Sequence, residues 1–500
     1  MLFLLPFFLA AAALPQDSSG GFKALADEVE MEVLDNGLRV IVLPRGRAPV
    51  VSFRVHVNAG AIDEDAGLTG LAHFAEHMAF KGSERIGAGN WLSEKIALEE
   101  CDRAWKAYEY ALAIENEDAE ELLEEFEVAR LRADSYSLAE EFDAVVEEAG
   151  GADSNASTGA DATRYFVSLP SNRQETWFWL AREMLGAPVM REFYKERDVV
   201  MEERRMRTDS DPFGSLLEAV LNAAFTAHPY RDNTIGHMDD LKRLDRPEMI
   251  AFWKRHYTAD RMVVAVVGNV DPSEVFALAE KYLADLPPAA QPRSPRTREP
   301  RQKGPRAVEV VRPASPALFA AWHTPSLRGR TGVVHDVLGA ILHGGASSRL
   351  HTRLVKKERV AAMVEGIVGF PGRLDATLSG VILVPTPGHS LEECLALTQE
   401  EIEILAEEGP TERELEGVRR RSKMGLLESL GSNPGLAGAL ARAEAEEGGW
   451  EILFESLDSL EGITAGDIKK AAATYLPSQR TVGYLLPPGM DASTPVGGGS

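Results

Sequence analysis

GLTGLAHFAEHMAFKG, from Gly67 to Gly82, is the stretch that decides how the rest of the chain is read. On a helix, positions i, i+3 and i+4 share one face, so His73, Glu76 and His77 converge. Two imidazoles one turn apart can hold a zinc ion at Zn–N distances of about 2.0–2.1 Å. The carboxylate between them sits beside an open coordination position, placed to take a proton from an attacking water. The order H-x-x-E-H is the reverse of H-E-x-x-H, and each pattern marks a class of zinc-dependent hydrolase. The bland alternative is a helix whose polar face happens to carry two histidines. A third ligand is needed to go beyond it.

The best candidate lies downstream, in FYKERDVVMEERRMRTDSDP, residues 193–212. Glu196 and Glu203 are seven apart and share one face of a two-turn helix, whereas Glu202 is turned by about 100° from Glu203 and faces solvent. Many surface helices carry Glu at such spacings, so spacing alone does not assign the ligand.

Around these two helices the chain alternates strands and helices. Residues 31–60, MEVLDNGLRVIVLPRGRAPVVSFRVHVNAG, read as a hairpin with an Asn36-Gly37 turn and then a third strand. TRYFVSLP (163–170) and RMVVAVVGNV (261–270) are further strands, and a helix is expected from Pro272 to Leu283. Residues 286–306 are Pro-rich and basic, without apolar periodicity, and read as a linker between a first half (22–285) and a second (307–488). The second half repeats the order: strands in AVEVVRPA and ALFAAWHTP, helices in RTGVVHDVLGAILHG and SSRLHTRLVKKE, and a closing strand in TVGYLLP. The tail from 489 to 500 reads as unstructured.

The formal charge is −25, from 53 basic and 78 acidic residues among 500. So acidic a chain is a poor nucleic-acid binder, because phosphate neutralisation needs clustered Lys and Arg. About half of the charge sits in one segment. Residues 102–148 hold 16 acidic and 4 basic residues, with apolar positions at helical spacing and no Gly or Pro. They read as two long amphipathic helices forming an inserted hairpin: a solvated module without chemistry, or an acidic surface for a partner or a cationic substrate. At the N-terminus, the apolar run Leu2–Ala13 followed by small residues reads as a secretory signal over 1–20, although no Lys or Arg precedes it. A retained anchor is the other reading. Export to the periplasm or outside the cell, with no stable membrane insertion after cleavage, is the expectation. Cys101 and Cys394 exclude a disulfide framework and read as two isolated, non-catalytic thiols, with a single bridge between them left open.

Several segments, in order, now carry a resemblance: NGLRVIVLP, GLAHFAEHMAFKG, NASTGADATRYF, ERDVVMEERRMR, HPYRDNTIG and GGASSRL. Together they resemble the M16 family of zinc metallopeptidases, the pitrilysin, insulysin and mitochondrial-processing-peptidase group, over nearly the whole mature chain. The resemblance implies an α+β fold of two similar domains, each a mainly antiparallel sheet packed with helices into a half-clamshell, with the acidic hairpin inserted in the first. It implies one zinc per chain, held by His73, His77 and Glu203, with Glu76 as general base and Glu196 orienting a ligand histidine. Glu203 follows His77 by 126 residues, longer than the family's spacing by about the length of the insert. Asn155 matches a substrate-side asparagine on an edge strand where an extended peptide can add; as Asn in a Gly-rich turn it is also ordinary.

One departure matters. Active members carry Arg and Tyr in a stretch like L-R-E-K-x-G-L-A-Y-S-V, where they help bind the scissile carbonyl. Here LVKKERVAAMV puts Val355 and Ala362 at those positions. The implied function is a zinc-dependent endopeptidase acting on peptides or unfolded segments, completed by a second M16-type subunit that supplies the pair; a homodimer is the other arrangement. The rivals are a non-catalytic M16-fold scaffold subunit and an exported peptide-binding protein.

Overall fold

The computed structural model describes residues 25–46, 48–138, 140–186, 188–290 and 296–497, so the expected signal over 1–20 lies outside the described residues. The chain is α+β, with two sheets of near-identical plan. The first has the order β1 (Glu30–Val33), β2 (Arg39–Pro44), β6 (Met262–Gly268), β3 (Val50–Val57), β5 (Thr163–Pro170) and β4 (Ala152–Thr158). The second has the order β7 (Arg306–Val311), β11 (Arg480–Leu486), β8 (Ala317–Thr324), β10 (Thr377–Pro385) and β9 (Ala361–Phe370). In each, one parallel pair (β2 with β6, β7 with β11) is followed by antiparallel neighbours out to an edge strand, β4 or β9. Strands β6, β8 and β10 are buried along almost their whole length, as continuous apolar runs packed on both faces must be. The first hairpin turns at Gly37, whose φ of 88° needs a residue without a Cβ.

Helices of the first half are α1 (Leu71–Ala79), α2 (Trp91–Ala113), α3 (Ala119–Asp134), α4 (Glu141–Glu148), α5 (Gln174–Gly186), α6 (Phe193–Arg204), α7 (Pro212–Ala224), α8 (Met238–Arg243), α9 (Arg246–His256) and α10 (Pro272–Leu283). The second half adds α11 (Gly329–Leu342), α12 (Leu391–Glu408), α13 (Glu412–Ser429), α14 (Asn433–Arg442), α15 (Ile452–Glu461) and α16 (Ala465–Ala472). SSRLHTRLVKKE forms a wide π-type turn over His351–Lys357 instead of a regular helix.

The halves exchange one helix each. Leu216, Val220, Leu221 and Ala224 of α7 pack on Ala317, Phe319, Ala321 and Leu485 of the second sheet. In return, Leu436, Ala437, Leu440 and Ala441 of α14 cover Ile41, Leu43, Val263, Ala265 and Val267 of the first. Both helices start alike: Asp211 caps the Gly214 amide and Ser432 caps the Gly435 amide. A Cβ on Gly214 would lie 2.0 Å from the Arg207 carbonyl oxygen, and one on Gly435 1.9 Å from that of Ser429. Only glycine admits so close an approach of the incoming chain.

The acidic segment differs from the expected hairpin. It forms three helices, α2 to α4, and the first begins upstream at Trp91. Its inner side is part of the first half's core: Cys101, Trp105, Phe126, Phe142 and Val146 are all buried there. Trp105 packs against Phe126 and Tyr194, the latter on α6, while the Arg197 guanidinium stacks over the Trp105 ring at 4.0 Å. Most of its charge lies on the outer faces, although Asp102 pairs with Arg246 at 2.6 Å on the inner side. The tail from 489, expected to be unstructured, packs back through residue 497: Ala492 is buried, and Gly388 and Val496 bond through the Gly388 amide. Within the expected linker, Glu299 accepts the amides of Thr226, Ala227 and His228, anchoring it to the first half. Cys101 and Cys394 are buried, unbridged and in different halves; burial pushes each thiol up to about 12.

If the insert belongs to the core, Phe126→Ala costs about 3–5 kcal/mol. Denaturant unfolding checks this; a loss below about 0.5 kcal/mol, typical of a surface position, would show a detached module.

Candidate metal centre

Helix α1 follows the short turn at Ala61–Asp63, and Gly70 at its N-cap has no side chain to offer. Glu64 does that work instead, its carboxylate accepting the amides of Gly70 at 2.9 Å and Ala72 at 2.7 Å. The face formed by Leu71, Phe74, Ala75 and Met78 is buried, and Phe74 stacks on Phe193 of α6 at 4.5 Å. With its apolar face locked, α1 turns His73 and His77 toward α6 and Glu76 toward Thr158 of β4.

His73, His77 and Glu203 each offer a ligand atom, and these atoms lie within 4.8 Å of one another. Glu203 Oε2 is 3.7 Å from His73 Nε2 and 3.5 Å from His77 Nε2. Ligands about 2.0–2.1 Å from a tetrahedral ion lie about 3.3 Å apart, so Glu203 needs only a few tenths of an ångström of closure toward either histidine. Two imidazoles and one carboxylate form the donor set of a catalytic zinc site with an open position. The residues fit the ion.

The surroundings prepare them. His77 Nδ1 is 2.9 Å from Glu196 Oε1; a carboxylate only accepts, so Nδ1 carries the proton and Nε2 keeps its lone pair for a metal. Burial would raise Glu196, but hydrogen bonds from His77 and Lys81 outweigh it and hold the carboxyl at about 2. Burial pushes His73 down to about 3, so it is neutral and ready to ligate at ordinary pH. Arg207 pairs with the other oxygen of Glu203 at 2.7 Å, leaving Oε2 for the histidines.

Glu76 stands outside this trio. Thr158 Oγ1 donates to Glu76 Oε2 at 2.5 Å and in turn lies 3.2 Å from Thr163 Oγ1. Burial raises the Glu76 carboxyl, with Glu203 adding repulsion and the Thr158 bond opposing, which moves it toward the range a general base requires. Sequence reading passed over Thr158, although alternation along NASTGAD puts Ala156 and Thr158 on one face and Asn155 on the other. Asn155 is exposed on β4, the outermost strand of its sheet, pairs with Phe166, and lies about 10 Å of strand from Thr158. The structure therefore puts Asn155 beside the centre and not in it.

Residues 39–126 match the family described as Insulinase (Peptidase family M16), and residues 243–422 match the Peptidase M16 inactive domain, together more than half of the chain. This chain belongs to the M16 peptidase family. It is 29% identical to the zinc protease PqqE of Helicobacter pylori, over 82% of each chain. It is 24% identical to the mitochondrial-processing peptidase subunit beta of Lentinula edodes, over 91% of this chain and 90% of that one. A crystal structure of a protease from Helicobacter pylori superposes with a TM-score of 0.77 at 25% identity, covering 92% of this chain and 99% of the other. Several relatives, PqqE among them, are named zinc proteases, which supports a metallopeptidase here.

In the second half, Val355 packs partly against the core and Ala362 is exposed on the edge strand β9. Arg359 has a φ of 58°, a left-handed conformation, where the family-like stretch has glycine, which supports the register that puts Val355 and Ala362 at the Arg and Tyr positions. Lys356 bonds to the Ala346 carbonyl and Lys357 pairs with Glu358.

Because burial holds His73 near 3 in the folded chain against 6.5 when unfolded, the unfolded chain takes up the proton first. Its contribution to stability is present above about pH 6.5 and lost as pH falls toward 3. In metal-free protein, His73→Gln removes up to one proton's dependence, about 1.4 kcal/mol per pH unit. Denaturant unfolding at pH 7.5 and 5.5 measures it, and parallel pH dependences in both proteins would contradict it.

Proposed function

We propose that this chain is a zinc-dependent endopeptidase of peptides or unfolded segments, with Glu76 as its general base. The observation that carries the reading is the meeting of His73, His77 and Glu203 beside a carboxylate that Thr158 holds outside the ligand set. Zinc held by those three residues would supply Lewis acidity toward the scissile carbonyl and acidify a water. Glu76 takes the proton of the attacking water and passes it to the leaving amine, and the Thr158 hydroxyl keeps its carboxylate aimed during both transfers. An extended substrate pairs with the free edge of β4 past Asn155, which reads backbone shape more than side-chain identity. With Val355 and Ala362 at the Arg and Tyr positions, a second M16-type subunit supplies that pair from the facing half.

The apolar N-terminal run supports an exported protein, as does the 28% identity over 290 residues, 57% of this chain and 25% of the relative, to the probable zinc protease PqqL of Escherichia coli, of which a structure is described as a periplasmic protease. Among the described residues, no helix is long and apolar enough to cross a membrane. The scaffold alternative gains nothing from a complete donor set.

Glu76→Gln should lower turnover by about 10²–10⁴-fold while the protein still carries one zinc, by peptide-cleavage assay and metal analysis. Retention of more than a few per cent of the wild-type rate would reject the general-base role. Full activity of the zinc-loaded chain without any partner subunit would reject the partner.

A further inference from the structure

The carboxylate that orients His77 is itself held. Lys81 Nζ lies 2.6 Å from Glu196 Oε2, the oxygen that His77 does not use, and 3.7 Å from the Glu192 carboxylate. Lys81 sits just past the end of α1, whereas Glu192 and Glu196 belong to the first turn of α6. One ammonium thus ties the two ligand-bearing helices together on the side away from Glu203. Glu192 has a left-handed backbone (φ 53°) and is buried at the N-cap of α6, so that turn is fixed in position.

Lys81 is equally constrained from behind. Arg191, 2% exposed, sits inside the loop that follows α1 and donates to the carbonyls of Lys81, Ser83 and Ile86 while pairing with buried Glu94 at 2.7 Å. On its outer side the loop is bound to the acidic insert: the Glu141 carboxylate accepts the Gly87 amide, and the Leu138 amide bonds to the Gly87 carbonyl at 2.9 Å. A lysine on a free loop would be an ordinary surface ion pair of little worth. Here the loop is over-determined, and the charge is delivered to one place.

We propose that Lys81 is a positioning residue of the metal centre: it holds Glu196 in the orientation from which that carboxylate aims His77 Nε2 at the ligand site. Its side chain touches neither metal nor substrate and acts only through Glu196. The inference rests on His73, His77 and Glu203 being the metal ligands. Its partner in the relay predicts the size of the effect, since removing a group that orients a ligand histidine weakens metal binding by about 10–100-fold.

The test measures zinc affinity of the full chain by competition with a chelator, for wild type, Lys81→Met, Lys81→Arg, Glu196→Gln and the Lys81→Met/Glu196→Gln double variant. Metal-free melting temperature serves as the control for folding. Lys81→Met is expected to bind zinc at least about tenfold more weakly, Lys81→Arg within about threefold of wild type, and Lys81→Met to add nothing once Glu196 is already Gln. Should Lys81→Met not fold, Lys81→Gln takes its place with the same expectations. Wild-type affinity in the neutral variant, an equal loss in Lys81→Arg, or losses that multiply in the double variant would overturn the proposal. A wild-type chain that bound no zinc would bring down the ligand assignment as well, whereas wild-type affinity in Lys81→Met brings down this inference alone.

Discussion

The meeting of α1 with α6 is the constraint on which the centre depends. Its two histidines and its glutamate come from helices 126 residues apart in numbering from His77 to Glu203, and no local propensity brings them together. Packing does: Phe74 on Phe193, the buried face of α1, and the strand pair β4 and β5 beneath. Polar ties then set the angle. Glu64 stops the start of α1 from fraying, Glu196 fixes the His77 ring, and Thr158 fixes Glu76. The last two ties each join a reactive group to a different element. Such preorganisation is what holds the functional groups in place before substrate arrives.

The same logic recasts the acidic insert. Sixteen acidic residues in a 47-residue segment suggest a solvated appendage, yet its apolar side completes the core behind α6 through Trp105 and Phe126. Its last helix, α4, leads into the edge strand β4. The insert therefore braces the centre from behind on two sides while keeping most of its charge in solvent. The exchange of α7 and α14 does for the two halves what the insert does for the first: neither sheet is covered on both faces without the other half.

Much of this was legible in the sequence because periodicity reports which residues share a face. The i, i+3, i+4 spacing put His73, Glu76 and His77 together, and the seven-residue spacing put Glu196 with Glu203 and turned Glu202 away. Periodicity does not report what a face packs against. Only the fold reveals that the apolar stripes of α7 and α14 each cover the opposite sheet. Thr158 and Lys81 were passed over for a related reason: a lone Thr or Lys near a motif is ordinary in sequence, and its role comes from one long-range contact. The tail was misread because a few small residues suffice when backbone bonds, as between Gly388 and Val496, do the docking.

What the centre holds is the claim on which the rest of the account stands. X-ray absorption at the zinc edge of the metal-loaded full chain reports the ligand atoms directly. The account predicts two imidazole nitrogens with their outer-ring scattering, oxygen in the remaining positions and no sulfur, with the imidazole signal lost in a His73→Ala/His77→Ala variant. A zinc shell with sulfur, or one whose imidazole signal survives that double substitution, would contradict it.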